Sequence, residues 1–256
     1  MNQSDSGARV ALVTGGAMGI GAAISSQLAA RGYTVVVADI NLDAAQATAA
    51  ALEAQGHRAA ALRMDVGNPE SIAQAFADLD RDYGRCDVLV NNAGIANTVS
   101  FLDFPVDTWQ KTININVTGV LVAGQHAARL MLRHKWGRII NISSISGIRA
   151  GAGRTAYGTS KAAVIGLTRQ MAIELAEHGI TVNSVAPGPV DTPMTQALHS
   201  DATRESYYRL VPMRRYGSTD EIASAVSFLA GDESSYITGH VIPVDGGFVA
   251  GGVLSI

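Results

Sequence analysis

A chain of 256 residues is long enough for one α/β domain with a well-buried core, and 47% apolar residues with 27 glycines exclude a disordered or fibrous chain. Its 19 basic and 22 acidic side chains leave a net charge of −3, which excludes the basic surplus needed to neutralise a phosphate backbone, so nucleic acid is not an expected partner. The single cysteine, Cys86, excludes an intrachain disulfide, and no apolar run approaches the ~20 residues that cross a bilayer. Neither a membrane nor a metal is expected; the chain reads as cytoplasmic, with residues 1–8 a flexible, polar N-terminus that carries no apolar signal region.

In chain order, Arg9 to Thr14 is a short apolar strand that breaks at Gly15, and Gly19 to Ala30 repeats Ile20, Ile24 and Leu28 at helical spacing. Tyr33 to Ala38 is a β-branched strand ending at Asp39, Leu42 to Gln55 an alanine-rich helix, and Arg58 to Val66 a third strand closing at Asp65. A helix from Pro69 to Tyr83, a strand from Asp87 to Asn91, and one long helix from about Asp107 to Arg133 follow. Next come a strand from Arg138 to Ile142, a helix from Tyr157 to Glu177 and a strand from Thr181 to Ala186. The prolines of Pro187-Gly-Pro-Val-Asp-Thr-Pro193 stop both kinds of element, and the polar, mixed stretch Met194 to Tyr216 reads as a mobile excursion over a site. A helix from Asp220 to Leu229, a strand from His240 to Val244 and a glycine-rich tail close the chain. The alternation predicts an α/β fold, a Rossmann-like doubly wound parallel sheet of about seven strands with helices on both faces. It is expected as a single domain over residues 1–256, with a nucleotide-binding and catalytic core at 9–186, a substrate lid at 187–219 and a closing segment at 220–256.

Thr14-Gly-Gly-Ala-Met-Gly-Ile-Gly21 sits where the first strand meets the first helix. Glycines there permit a tight turn and let a pyrophosphate approach free N–H groups at a helix start. The spacing, G-x-x-x-G-x-G, departs from G-x-G-x-x-G, and a turn with glycines for close helix packing is the competing reading. Asp39, twenty residues past Gly19, can accept hydrogen bonds from an adenosine ribose and would repel a 2′-phosphate, which predicts NAD over NADP. Tyr157 and Lys161 lie four apart on one helix face, so the lysine charge is expected to favour the phenolate and fit Tyr157 for proton transfer. Taken alone, the pair reads first as a packed aromatic above a solvated lysine.

Asn91-Asn-Ala-Gly94, Asn116, Ser144, Tyr157-x-x-x-Lys161, Pro187-Gly188 and Asp245-Gly-Gly247 follow the glycine loop in order, and with them the chain resembles the short-chain dehydrogenase/reductase family over almost its whole length. The resemblance implies an NAD-dependent oxidoreductase that interconverts a secondary alcohol and a ketone by hydride transfer. It implies a catalytic set of Asn116, Ser144, Tyr157 and Lys161, in which Ser144 holds the substrate oxygen, Tyr157 exchanges its proton, Lys161 lowers the tyrosine's pKa and bonds the nicotinamide ribose, and Asn116 holds a water beside the lysine. The NAD site it implies comprises Gly15, Met18, Gly19, Ile20, Asp39, Asp65, Val66, Asn92, Ala93, Gly94, Tyr157, Lys161, Pro187, Gly188, Val190 and Thr192. A homotetramer is also implied, packed through the long helix and the Tyr157 helix, where Ala162, Ala163 and Gly166 allow close approach.

Ser144, Ser146, Arg149, Arg154, Tyr157 and Arg215 are the expected substrate contacts, and His199 and Tyr208 could also face inward. Arginine matches a carboxylate with two oxygens, so the substrate is expected to be small and polar: a hydroxy acid, a sugar acid or a polyol. These arginines read equally well as surface or subunit-contact residues. The alternatives are a 3-oxoacyl-(acyl-carrier-protein) reductase and a non-catalytic NAD-binding regulator.

Overall fold

The computed structural model describes residues 8–252; the start of the expected flexible N-terminus and the last four residues of the tail lie outside that range. Seven parallel strands form one sheet in the order β3-β2-β1-β4-β5-β6-β7. They are β1 (Val10–Thr14), β2 (Thr34–Asp39), β3 (Ala59–Arg63), β4 (Val88–Asn91), β5 (Gly137–Ile142), β6 (Ile180–Pro187) and β7 (Val241–Val244). The inner strands read as unbroken apolar runs because both faces are covered, and successive side chains go to opposite layers. Ala11 and Val13 enter one core with α1 (Gly19–Ala30), α2 (Leu42–Ala54) and α9 (Thr219–Ala230). Val10 and Leu12 enter the other, with α3 (Pro69–Tyr83), α5 (Gly119–Leu132) and α6 (Thr155–Leu175).

Three elements differ from the sequence expectation. β3 stops at Arg63, short of Asp65, because the Asp65 carboxylate accepts from Gly67 N at 2.8 Å and turns the chain toward α3. The long helix is two α-helices, α4 (Val106–Ile113) and α5, joined through a π-helical turn at Asn114–Thr118. The excursion after β6 is helical. Pro193 opens α7 (Pro193–Leu198), where Thr192 and Thr195 form a reciprocal cap, and Ser200 caps α8 (Asp201–Leu210). Strong local caps supply the order that the hydrophobic pattern lacks.

β1 and β4 are neighbours, and the chain winds outward from them in both directions. A crevice opens beyond their carboxyl ends. A buried amide chain ties this region together: Asn91 Nδ2 donates to Asn141 Oδ1 at 2.9 Å, and Asn141 Nδ2 to Thr168 Oγ1 at 2.9 Å, joining β4, β5 and α6. Asn141→Ala leaves the Asn91 amide without its buried acceptor, so urea denaturation should show a loss of about 2–3 kcal/mol; an unchanged midpoint would mean that this chain contributes nothing.

Candidate active site

The glycine loop lines the crevice at the end of β1. Gly15 (φ 60°) and Gly19 (φ 55°) occupy the left-handed region, and a Cβ on Gly21 would collide with the Gly15 carbonyl oxygen. Asn41, Asn68, Ser200 and Ser218 cap α2, α3, α8 and α9. α1 begins at Met18 with no side-chain cap and no acidic residue in its first turn. Its first N–H groups and the positive end of its dipole therefore face the crevice, which is what a pyrophosphate requires. Asp39 ends β2 beside this loop, one oxygen accepting from Ala17 N at 3.3 Å and the other from Asn41 N at 3.0 Å. Met18 and Ile40, more than half exposed, give the rim apolar surface. An uncapped helix start, a glycine cradle, a carboxylate and an apolar rim fit a dinucleotide.

Several expected cofactor residues act as framework. Asn92 Nδ2 donates to the carbonyls of Thr14 and Gly15, both at 3.0 Å, while Thr14 Oγ1 accepts from Asn92 N and Ala93 N. Gly94 must be small, since a Cβ there would stand 3.2 Å from Asn116 Oδ1 and 3.5 Å from Lys161 Nζ. Val66 lies behind the crevice, its carbonyl against Gly119. Asp65 and Asn114 clamp Gly67 from both sides. Ile20 lies in the first turn of α1. Pro187 ends β6, and Gly188 passes so close to Asp245 that a Cβ would come within 2.7 Å of its Cα. The Val190 carbonyl accepts from Thr195 Oγ1, and Thr192 abuts Gly19, so the start of the lid rests on the glycine loop.

Asn116, Ser144, Tyr157 and Lys161 converge at the inner end of the crevice. Asn116 is fully buried in the π-turn. Its Nδ2 donates to Ile95 O at 2.9 Å and Ser160 Oγ at 3.0 Å, and its Oδ1 accepts from Ile95 N at 2.9 Å. Both amide hydrogens and one oxygen lone pair are thus spent holding the chain after β4 against α6. Lys161 Nζ donates to the Ile142 carbonyl at 2.7 Å, and burial pulls its pKa down to about 8. Tyr157 behaves differently from the sequence expectation: burial pushes its phenol above the ordinary value, opposed first by the Ser144 hydroxyl and then by the Arg154 charge. Lys161 Nζ is turned onto the Ile142 carbonyl and lies 5.8 Å from the Tyr157 ring centroid.

The cleft in front of Tyr157 is lined by Ser144, Ser146, Arg154, His199 and Tyr207, with Met194 and Leu198 from the lid. Two of the expected substrate arginines lie elsewhere. Arg149 donates to Phe248 O at 2.9 Å and covers the Phe248 ring. Arg215 grips the Glu221 carboxylate with two bonds of 2.8 and 2.6 Å, bracing the start of α9. Tyr208 is 39% exposed on α8, and its neighbour Tyr207, about 100° round the helix, enters the cleft. The polar stretch gives no phase for that helix, so the sequence carries no signal for choosing between the two tyrosines.

The family model described as Enoyl-(Acyl carrier protein) reductase matches residues 15–249. The chain belongs to the short-chain dehydrogenase/reductase family. A 3-oxoacyl-(acyl-carrier-protein) reductase of Aquifex aeolicus is 40% identical over 93% of this chain and 96% of its own. The cis-4-hydroxycyclohexanecarboxylate dehydrogenase of Sinomonas cyclohexanicum is 42% identical over 94% and 97%. A solved short-chain type dehydrogenase/reductase from Mycobacterium marinum superposes with a TM-score of 0.90 at 36% identity, covering 95% of this chain and 96% of that one. The chain is an NAD(P)-dependent oxidoreductase of this family. Among the described residues no helix is long and apolar enough to cross a membrane.

The buried lysine has a measurable signature. With a folded pKa of about 8 against ~10.4 when unfolded, the unfolded chain binds more protons between those values, so this group destabilises the fold below pH ~8 and the penalty fades as pH rises through the window. Compared with Lys161→Met, the wild-type protein should therefore gain stability from about pH 8 to about pH 10 in thermal melts; a constant difference between the two would contradict the burial argument.

Proposed function

We propose that the protein oxidises a secondary alcohol on a small polar substrate, or reduces the corresponding ketone, with NAD as the preferred cofactor. The observation that carries this reading is the half-buried Tyr157 phenol, with the Ser144 hydroxyl in reach, between the substrate cleft and the crevice of the glycine loop. Bound in that crevice, NAD would accept the hydride from the carbinol carbon, and in the reverse direction its reduced form would return it.

The chain's own residues handle the oxygen and the proton. Ser144 donates to the substrate oxygen, where negative charge develops. In its phenol form Tyr157 gives its proton to the nascent alkoxide in ketone reduction; in alcohol oxidation its phenolate form takes the proton from the substrate hydroxyl. Lys161 holds the inner wall through Ile142, and its ammonium would bond the nicotinamide ribose when the cofactor is bound. Asn116 keeps Gly94 and Ile95 against the lysine. The cleft lining, with Ser146, Arg154 and His199 beside Tyr157, favours a hydroxy acid, a sugar acid or a polyol. The relatives named as 3-oxoacyl-(acyl-carrier-protein) reductases favour a second reading, reduction of a thioester substrate, which predicts NADP as the better cofactor.

Assembly as a homotetramer is part of the same proposal. The α6 helix exposes Ala162, Gly166 and Ile173, the last 80% exposed, and a Cβ on Gly166 would meet nothing within 4 Å. The small residues suit close approach of a second copy, with Arg169 and Gln170 exposed between them and Ile173.

Tyr157→Phe should lower kcat by at least about a thousandfold while NADH binding, read by fluorescence, stays within about threefold. Turnover within tenfold of wild type would refute the role of the phenol. For the cofactor, the carboxylate of Asp39 should make kcat/KM with NAD exceed that with NADP by more than about tenfold, and Asp39→Ala should narrow the ratio; a higher value with NADP would support the thioester reading.

A further inference from the structure

One cluster in the cleft is left over once proton transfer is assigned. Arg154, at the start of α6, directs Nη2 to His199 Nε2 at 3.1 Å, and its guanidinium carbon stands 5.8 Å from the Tyr157 ring centroid. His199 Nδ1 meets Tyr216 OH at 2.9 Å, and its ring stacks on Tyr207. A guanidinium has no acceptor, so Nε2 must accept from it and the ring proton must sit on Nδ1, donating to Tyr216. Neutral histidine is also what the surroundings impose: burial first, then the charges of Arg154 and Arg204, hold His199 below its ordinary pKa.

The charge balance around this pair is one-sided. From α6 comes Arg154, and from α8 come Arg204 and the neutral Tyr207; Tyr216 closes the fourth side. The nearby acid, Asp191, is bound to Arg204 at 3.1 Å, and among the described residues no Asp or Glu lines the cleft. Arg154 therefore meets its neighbour as a cation facing a base, without a counter-ion.

We propose that Arg154 and His199 together seat a carboxylate of the substrate, with His199 taking up a proton as the acid binds. This deepens the oxidoreductase reading and rests on it, since the seat lies beside Tyr157 in the same cleft. A carboxylate entering between the two side chains takes the guanidinium donor that His199 now accepts. Its charge favours imidazolium, and Nε2 turns from acceptor into donor while Nδ1–H keeps Tyr216. The two side chains must part from their present 3.1 Å contact to admit it, while the Tyr216 bond is kept. The ligand class follows from the spacing: a hydroxy or keto acid whose carboxylate lies a few bonds from the reacting carbon.

Because binding brings a proton, affinity for acids must rise as pH falls through neutrality, whereas affinity for the uncharged amide must not. The test is calorimetric, on the full-length protein saturated with NAD, with two acids that lack a hydroxyl, propionate and cyclohexanecarboxylate, and their carboxamides. At least one acid should bind about tenfold tighter than its amide at about pH 6, weaken about fivefold or more by about pH 8, and draw a proton from the buffer, visible as a dependence of the heat on buffer ionisation enthalpy. Arg154→Ala should abolish the preference for acid over amide; His199→Gln should keep a preference but lose both its pH dependence and the proton uptake. If neither acid outbinds its amide at about pH 6, or if His199→Gln retains the wild-type pH dependence, the seat is refuted. The readout uses no turnover, so it separates from the catalytic reading. Acids binding like amides while Tyr157→Phe abolishes oxidation of a neutral alcohol would overturn the seat alone, and proton-linked acid binding with turnover surviving in Tyr157→Phe would overturn the catalytic reading alone.

Discussion

The crevice depends on one junction, where the Asn92 amide reaches from the end of β4 to the carbonyls of Thr14 and Gly15. Two parallel strands that part company at their carboxyl ends leave backbone groups with no ladder partner, and an unpaired buried group is costly. Asn92 and Thr14 satisfy those groups reciprocally, so β1 and β4 diverge without exposing them. The glycine loop can then stay open toward solvent with its helix start uncapped. On the other side, Asn91 and Asn141 carry the same logic inward to Thr168 on α6, the helix that bears Tyr157 and Lys161. The crevice and the helix that bears Tyr157 and Lys161 are therefore tied into one polar framework inside an otherwise apolar sheet.

The parts of this arrangement that could be read from the sequence are those encoded by short-range spacing. Strand, glycine turn and helix follow one another within about twenty residues of chain, and Tyr157 and Lys161 share a helix face through simple periodicity. What escaped is set by partners distant in the chain. The π-turn at Asn116 exists because its amide must meet the Ile95 peptide and Ser160 at once, which no local pattern announces. Spacing of four residues does not fix where a long side chain ends: the Lys161 ammonium donates to a backbone carbonyl, Ile142, and stands 5.8 Å from the Tyr157 ring centroid. The arginines make the same point. Arg149, Arg154 and Arg215 look equivalent in sequence, and only the tail at Phe248, the histidine of the lid and the first turn of α9 sort them into three environments.

Function and stability pull against each other at the inner wall. A buried ammonium with a carbonyl partner and a half-buried phenol are both poorer than apolar residues of the same volume would be, and the fold tolerates them because the surrounding sheet is packed on both faces. The lid is built to the opposite specification. Helices α7 and α8 hold themselves by end caps, and none of their residues is buried in either core.

The π-turn has a consequence for how this chain tolerates change over time. Relative to a plain α-helix, such a turn carries one surplus residue. Losing any single residue between Asn114 and Thr118 would let α4 and α5 fuse into one regular helix, a locally favourable repair. The repaired helix would rotate Asn116 or its replacement by about 100° away from Ile95. A single deletion here could thereby leave a sound fold while removing the loop that confronts the lysine.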